Sequence, residues 1–399
     1  MTCGHAKLPQ LLTPCWFHFA GAPTVPSLLP TPDPDGLLEY SVVYTDRALN
    51  HMSQRFQGVM RDISRILRKV YHADAVAIVP GSGTFGMEAV ARQFATGRKC
   101  LVIRNGWFSY RWTQIFEMGN IPSEASVLKA RPVAPGPQQP FAPAPIEEVV
   151  ATIREQKPDL VFAPHVETAS GMILPDGYLC AVGEAVREAG GLFVLDCIAS
   201  GTIWVDMRAN NVDILISAPQ KGWSGSPCCA MVMLGERARA RIDATTSTSF
   251  ACDLKKWLQI MEAYEKGGHA YHATMPTDAL AHTRDVMLET EAYGFEKVRA
   301  EQQELGARVR ALLAARGFRS VAAPGFEAPG VVVCYTDDPE IQSAKKFIAQ
   351  GLQTAAGVPL QCDEGPDFRS FRIGLFGLDK LHEVARSVAS LEKALEAIG

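Results

Sequence analysis

The chain has 399 residues, 47% of them hydrophobic and 21% charged, with a formal net charge of −4. That balance suits two domains, or one large and one small, and argues against an electrostatic nucleic-acid binder or a polybasic membrane surface. No apolar run reaches the roughly 18–20 residues that cross a bilayer, so neither nucleic acid nor membrane is an expected partner.

From the N-terminus, residues 1–35 read as an arm. They are broken by prolines and lack the charged start and apolar core of a signal peptide, which makes a cytoplasmic protein the expectation. Residues 53–70, "SQRFQGVMRDISRILRKV", set Phe56, Val59, Met60, Ile63, Ile66, Leu67 and Val70 on one helical face. Ser53 suits the N-cap, and Arg68 and Lys69 suit the C-terminal end of the helix dipole. Short apolar runs follow at 75–79, 100–104, 160–164, 192–196, 213–217 and 229–234. Helical patterns lie between them at 84–95, 109–118, 146–156 and 178–189. Strands apolar on both faces and separated by helices predict an α/β fold with a mostly parallel central sheet, covered on both sides.

The stretch 131–145 carries six prolines and reads as a stiff surface loop. A long helical pattern at 282–316 reads as a connector. Behind it come a strand at 332–336, a helix near 341–356, a strand at 371–375 and a final helix near 379–398. The expected division is a large domain at 36–281 and a smaller α+β domain at 282–399. The ten cysteines are scattered, none in CxxC, and several fall in strand-like runs. They read as reduced core thiols, with neither disulfides nor a metal site expected.

Four stretches carry chemistry. In "VPGSGTFGMEAVARQF" (79–94) a strand ends, a Gly-Ser-Gly-Thr turn follows and a helix begins. Backbone N–H groups and the hydroxyls of Ser82 and Thr84 suit a phosphate there; an ordinary strand-to-helix turn is an equal reading. Asp196 ends an apolar run, as a counter-charge for a cationic ring nitrogen or as an N-cap or ion-pair partner. "APHVETASG" offers His165, Glu167 and Thr168 at another strand end, with His165 either catalytic or a satisfied core histidine. Lys221, in "SAPQKGWSG", is either a desolvated nucleophile or a lysine snorkelling from a strand end. Taken together, a phosphate cradle, a strand-end carboxylate and a lysine after the next strand meet the requirements of pyridoxal 5'-phosphate.

These motifs resemble the class V aminotransferases of fold type I, the alanine–glyoxylate and serine–pyruvate aminotransferases most, from about residue 19 to 380. The resemblance implies an aminotransferase (transaminase) fold with a large pyridoxal-phosphate domain, a small C-terminal domain and a homodimer. Small-molecule amino acid and 2-oxo acid substrates are implied. Ser82, Gly83 and Thr84 would hold the cofactor phosphate. In "NGWFSYR", Phe108 would stack on the ring, with Trp107 beside it. Thr168 would meet the phenolic oxygen, Asp196 the ring nitrogen, and Gln220 the cofactor, while Lys221 would be the Schiff-base lysine. Tyr271 and Thr274, in "AYHATMP", would reach the partner subunit's phosphate. Arg372, in "FRIGLFG", would clamp the substrate carboxylate as a bidentate guanidinium.

The N-terminal part departs from the pattern. The family's Gly-Pro-Gly-Pro is replaced by "FAGAPTVP", where Gly21 would still approach the substrate. Tyr40, Tyr44, Arg47 and His51 are candidates for setting specificity, with a structural role as the default for each. One alternative is a cysteine desulfurase or related lyase, with Cys362 ten residues before Arg372; against it, Gln220 stands where desulfurases carry His. Another is a 2-aminoethylphosphonate-type transaminase, with Arg47 or Arg369 for the phosphonate. A cofactor-binding module without catalysis is the third, and it would have no need of Arg372.

Overall fold

The computed structural model describes residues 37–398. The expected arm at 1–35, and with it Gly21 and "FAGAPTVP", lies outside the described residues. Helix α1 (Gln54–Tyr71) forms as its period predicts, with Phe56, Val59, Ile63, Ile66 and Leu67 buried and the Ser53 hydroxyl accepting from Phe56 N–H at its start.

Then the chain alternates: β1 (Ala75–Pro80), α2 (Gly83–Val90), β2 (Lys99–Arg104), α3 (Trp107–Gly119), β3 (Glu124–Lys129), α4 (Ile146–Gln156), β4 (Leu160–Pro164), α5 (Asp176–Glu188), β5 (Leu192–Asp196), β6 (Ile214–Ser217) and β7 (Cys229–Leu234). These seven strands make one sheet in the order β1-β7-β6-β5-β4-β2-β3. Only β7 runs against its neighbours, and the other pairings are parallel. The carboxyl ends of β1, β2, β4, β5 and β6 therefore share one edge of the sheet, the edge where such folds bind ligands.

Two glycines draw that edge together. A Cβ on Gly86 would lie 2.4 Å from the Ala230 Cβ, so α2 sits close against β7. A Cβ on Gly222 would lie 2.0 Å from the Gly201 carbonyl oxygen, so the loop after β6 presses on the loop after β5. That contact brings the segment after Lys221 onto the segment after Asp196.

Beyond the sheet come α6 (Leu254–Glu265), α7 (Thr277–Tyr293) and α8 (Phe295–Ala315), then a three-stranded sheet of β8 (Val331–Tyr335), β9 (Ala355–Ala356) and β10 (Ser370–Gly374), and α9 (Val384–Ile398). Its apolar underside, with Val333, Leu360 and Cys362, forms a second core against which Phe108 and Phe376 pack.

Several expectations need correction. The helical pattern at 282–316 is two helices, because Gly294 takes φ 110° between α7 and α8. The helix expected at 341–356 is two short turns, Pro339–Gln342 and Lys345–Ala349, parted by Ala344 at φ 67° and followed by β9. The last helix breaks between Leu378–Leu381 and Val384–Ile398. The proline-rich loop carries a short ladder of Arg131–Pro132 with Phe141–Ala142.

Candidate active site

At the end of β1 the chain turns through Gly81, whose φ of 122° suits glycine and whose Cβ would strike the Phe85 ring at 2.7 Å. Ser82 then caps α2, its carbonyl accepting from Phe85 N–H. At the next strand ends, His165 N–H donates to the Asp196 carbonyl and Cys197 N–H to the Ile216 carbonyl, each at 2.8 Å. This lacing aligns the residues that follow β4, β5 and β6.

A cavity of about 230 Å³ opens at this edge. Ser82, Gly83, Thr84, Phe108, Thr168, Asp196, Gln220 and Lys221 all line it. Arg111, Met87, Val166, Ile198 and Ala199 complete the wall. Asp196 is buried, and its carboxylate accepts one hydrogen bond among the described residues, from Ile198 N–H at 2.9 Å. Burial pushes its pKa up to about 7; Glu167 adds to the rise, while Arg111 and Lys221 oppose it. Lys221 moves the other way. Burial lowers its proton affinity, with Arg372 and Arg111 adding to the fall and Asp196 opposing it. Its Nζ lies 5.2 Å from the centre of the Phe376 ring.

The residues flanking Thr168 work differently. Glu167 is fully buried and accepts from Phe108 N–H, Ser109 N–H, the Ser109 hydroxyl and Ala169 N–H. It therefore anchors the start of α3 and with it Phe108. His165 Nδ1 pairs with the Ser200 hydroxyl at 2.7 Å, and burial takes its pKa down to about 3, so it is a neutral internal partner. Neither lines the cavity.

Arg372, on β10, donates from Nε to the Ala356 carbonyl at 2.8 Å, and its guanidinium carbon lies 5.5 Å from the Phe108 ring centre. It stands beside the cavity, not in its wall. Tyr271 is 55% exposed, its hydroxyl 3.1 Å from that of Thr274, and neither residue lines the cavity of its own chain. Arg369 borders a separate cavity with Asp337, Asp363 and Asp367. Cys362 is buried, its Sγ directed at the Arg104 and Leu360 carbonyls, and burial pushes its thiol up to about 12. That is the opposite of a reactive persulfide carrier.

Trp107 packs on Tyr110 with ring centres 5.8 Å apart. Trp223 lies beneath the site, buried against Trp204 and Tyr71. Of the specificity candidates, Tyr40 is exposed and Arg47 is within 4.0 Å of Asp46. The Tyr44 hydroxyl donates to the Met275 carbonyl, and His51 is buried among Tyr44, His269 and Tyr271. None of the four lines the cavity. The wall residue with polar chemistry that sequence reasoning passed over is Arg111. Its signal was its place one helical turn after Phe108, which sets both on one face of α3.

The donor set fits pyridoxal phosphate. Hydroxyls and a guanidinium gather where α2 begins, a buried carboxylate has capacity for a cationic partner, and an amine of lowered proton affinity shares the wall. Among the described residues no group of three or more His, Cys, Asp and Glu could hold a metal ion.

No protein-family profile matches the chain. A 2-aminoethylphosphonate–pyruvate transaminase of Paraburkholderia xenovorans strain LB400 is 26% identical over 360 residues, covering 89% of this chain and 90% of the relative. The alanine–glyoxylate aminotransferase of Callithrix jacchus is 26% identical over 361 residues, covering 87% and 82%. The crystal structure of ureidoglycine–glyoxylate aminotransferase from Bacillus subtilis superposes with a TM-score of 0.72 at 22% identity, over 92% of this chain and 91% of that one. Over most of its length the chain is similar to aminotransferases of class V. Its architecture is the fold type I sheet of that class, with the cavity at the carboxyl ends of the parallel strands. Phe108 and Arg111 share one turn of α3, the guanidinium carbon 5.2 Å from the ring centre.

Proposed function

We propose that this chain is a pyridoxal-phosphate-dependent aminotransferase that moves an amino group from a small amino acid of the alanine or serine type to glyoxylate or pyruvate. The observation that carries the reading is the single cavity shared by Lys221, Asp196 and the Ser82-Gly83-Thr84 turn. When bound, pyridoxal phosphate supplies a carbonyl for the amino group and a ring that accepts electrons.

The chain's own residues do the rest. Ser82, Gly83 and Thr84 would hold the phosphate. Asp196, a buried carboxylate shifted upward by burial, would pair with a cationic ring nitrogen, and that opposite charge would favour its ionised form. Lys221, its proton affinity lowered by burial, would hold the cofactor through its amine and would move the proton at the substrate Cα. Phe108, held by the Glu167 clasp on α3, would pack against the cofactor ring. Thr168 and Gln220 orient the cofactor from the wall. Arg372 orients the substrate carboxylate, which fixes the Cα–H bond relative to the ring.

The working form is a cytoplasmic homodimer in which Tyr271 and Thr274 complete the partner subunit's site. Their exposure, away from their own cavity, supports this. No helix among the described residues is long and apolar enough to cross a membrane.

A transaminase for 2-aminoethylphosphonate is the second reading, favoured by the relative that bears that name. Against it, Arg369 borders another cavity and Arg47 lies outside the cofactor wall. A titration with amino donors separates the two. The cofactor-loaded chain absorbs in the blue-violet, and alanine or serine bleaches the band while glyoxylate or pyruvate restores it. Bleaching by 2-aminoethylphosphonate alone transfers the conclusion to the second reading. Sulfide release from cysteine would overturn both.

A further inference from the structure

The cavity wall holds two cations among the described residues, Lys221 and Arg111. The proposed reaction commits the Lys221 amine to the carbonyl and to the substrate proton. A phosphate ester brings about 1.5 to 2 negative charges at neutral pH, and an anion taken out of water needs a partner of opposite charge. The hydroxyls of Ser82 and Thr84 are neutral donors.

Arg111 stands where that charge is needed. Its Nη1 donates to the Thr84 hydroxyl oxygen at 2.9 Å. Thr84 accepts with its oxygen and so keeps its own O–H to donate into the cavity. A guanidinium has five N–H donors in a fixed fork, and this contact uses one. The guanidinium is also held by a cation–π contact, its carbon 5.2 Å from the Phe108 ring centre, one turn back on α3.

We infer that Arg111 and Thr84 together form an anion fork that binds the cofactor's phosphate. The inference rests on reading the cavity as a pyridoxal phosphate site and adds a residue to it. The alternative source of an anion is the substrate carboxylate. Arg372 answers for that group from the neighbouring sheet, whereas Arg111 is tied to the turn at the start of α2.

The test compares two aldehydes that differ in the phosphate alone. Cofactor-free protein is titrated with pyridoxal phosphate and with pyridoxal, by absorbance, for the wild type, Arg111→Gln and Arg111→Lys. Arg111→Gln weakens pyridoxal phosphate on the order of 10- to 100-fold, the range for one charge-assisted hydrogen bond, and leaves pyridoxal within about twofold. Arg111→Lys keeps the charge without the fork and loses less, again with the phosphorylated ligand alone. It also decides the matter if Arg111→Gln does not fold. Equal losses for both aldehydes make Arg111 a general wall residue and overturn the inference, as does no loss for either. A wild-type chain that takes up neither aldehyde removes the cofactor reading and this inference together. Wild-type uptake with unaltered variants removes the inference alone.

Discussion

Burial acts on Asp196 and Lys221 in opposite directions, and both shifts serve one purpose. Burial weakens the charged form of each group, and a partner of opposite charge would restore it. Lys221→Ala removes the proposed proton-transfer group, so the amino-donor half-reaction is expected to slow on the order of 10²- to 10⁴-fold in a protein that still folds. For Asp196 the consequence reaches stability. Its folded-state pKa of about 7 lies above the unfolded value, so between the two the folded chain holds the extra proton. The stability contribution of this acid is therefore present at low pH and declines until pH passes about 7. Without cofactor, Asp196→Asn lacks that decline. Its melting temperature exceeds the wild type's at pH 8 and matches it more closely at pH 5. A wild-type advantage at pH 8 in the absence of cofactor contradicts the assignment. Lys221 and Asp196 were legible because each ends an apolar run where a bare charge needs a reason. Arg111 was not, since an arginine on an amphipathic helix reads as solvated until the cavity is seen. His165 and Glu167 showed the reverse, as polar residues at a strand end whose bonds turn inward.

Among the elements, the loops after β5 and β6 carry the most consequence. Gly222 lies where any side chain meets the Gly201 backbone, an obstacle that no rotamer change relieves. Gly222→Ala is expected to cost roughly 1–3 kcal/mol, as overpacking does, and to move Lys221 relative to Asp196. A thermal melt checks the first effect and cofactor uptake the second. A variant with both unchanged means the two loops do not fix the lysine. The same elements explain what the sequence disclosed of the fold. Every strand buried on both faces announced itself as an apolar run. The edge strand β3 did not, because none of its six residues is fully buried. The pattern across 282–316 is continuous in period, and the break at Gly294 is a backbone event that periodicity does not register. Loop-borne contacts such as that of Gly222 with Gly201 arise from the approach of two strand ends and have no local signature.

For the whole molecule, the decisive question is whether Tyr271 and Thr274 serve their own site or a partner's. Both were recognisable only through family resemblance, and in the single chain their hydroxyls bond to each other outside the cavity. A cross-subunit role makes a prediction that no single-chain role shares. Consider two inactive parents, Lys221→Ala and Tyr271→Ala, the second assayed at cofactor levels too low to fill its weakened site. Unfolded together and refolded as an equal mixture, half the dimers are mixed. In each mixed dimer, one cavity takes Lys221 from its own chain and an intact Tyr271 from the other, and the second cavity lacks both. About a quarter of all sites are then intact, and activity rises to about that fraction of the wild type. If Tyr271 acts within its own chain, every cavity in the mixture lacks one of the two residues, and activity does not exceed the mean of the parents. Sedimentation of the mixture as a dimer, with no recovery, would confine Tyr271 to its own subunit; sedimentation as a monomer would remove the interface altogether.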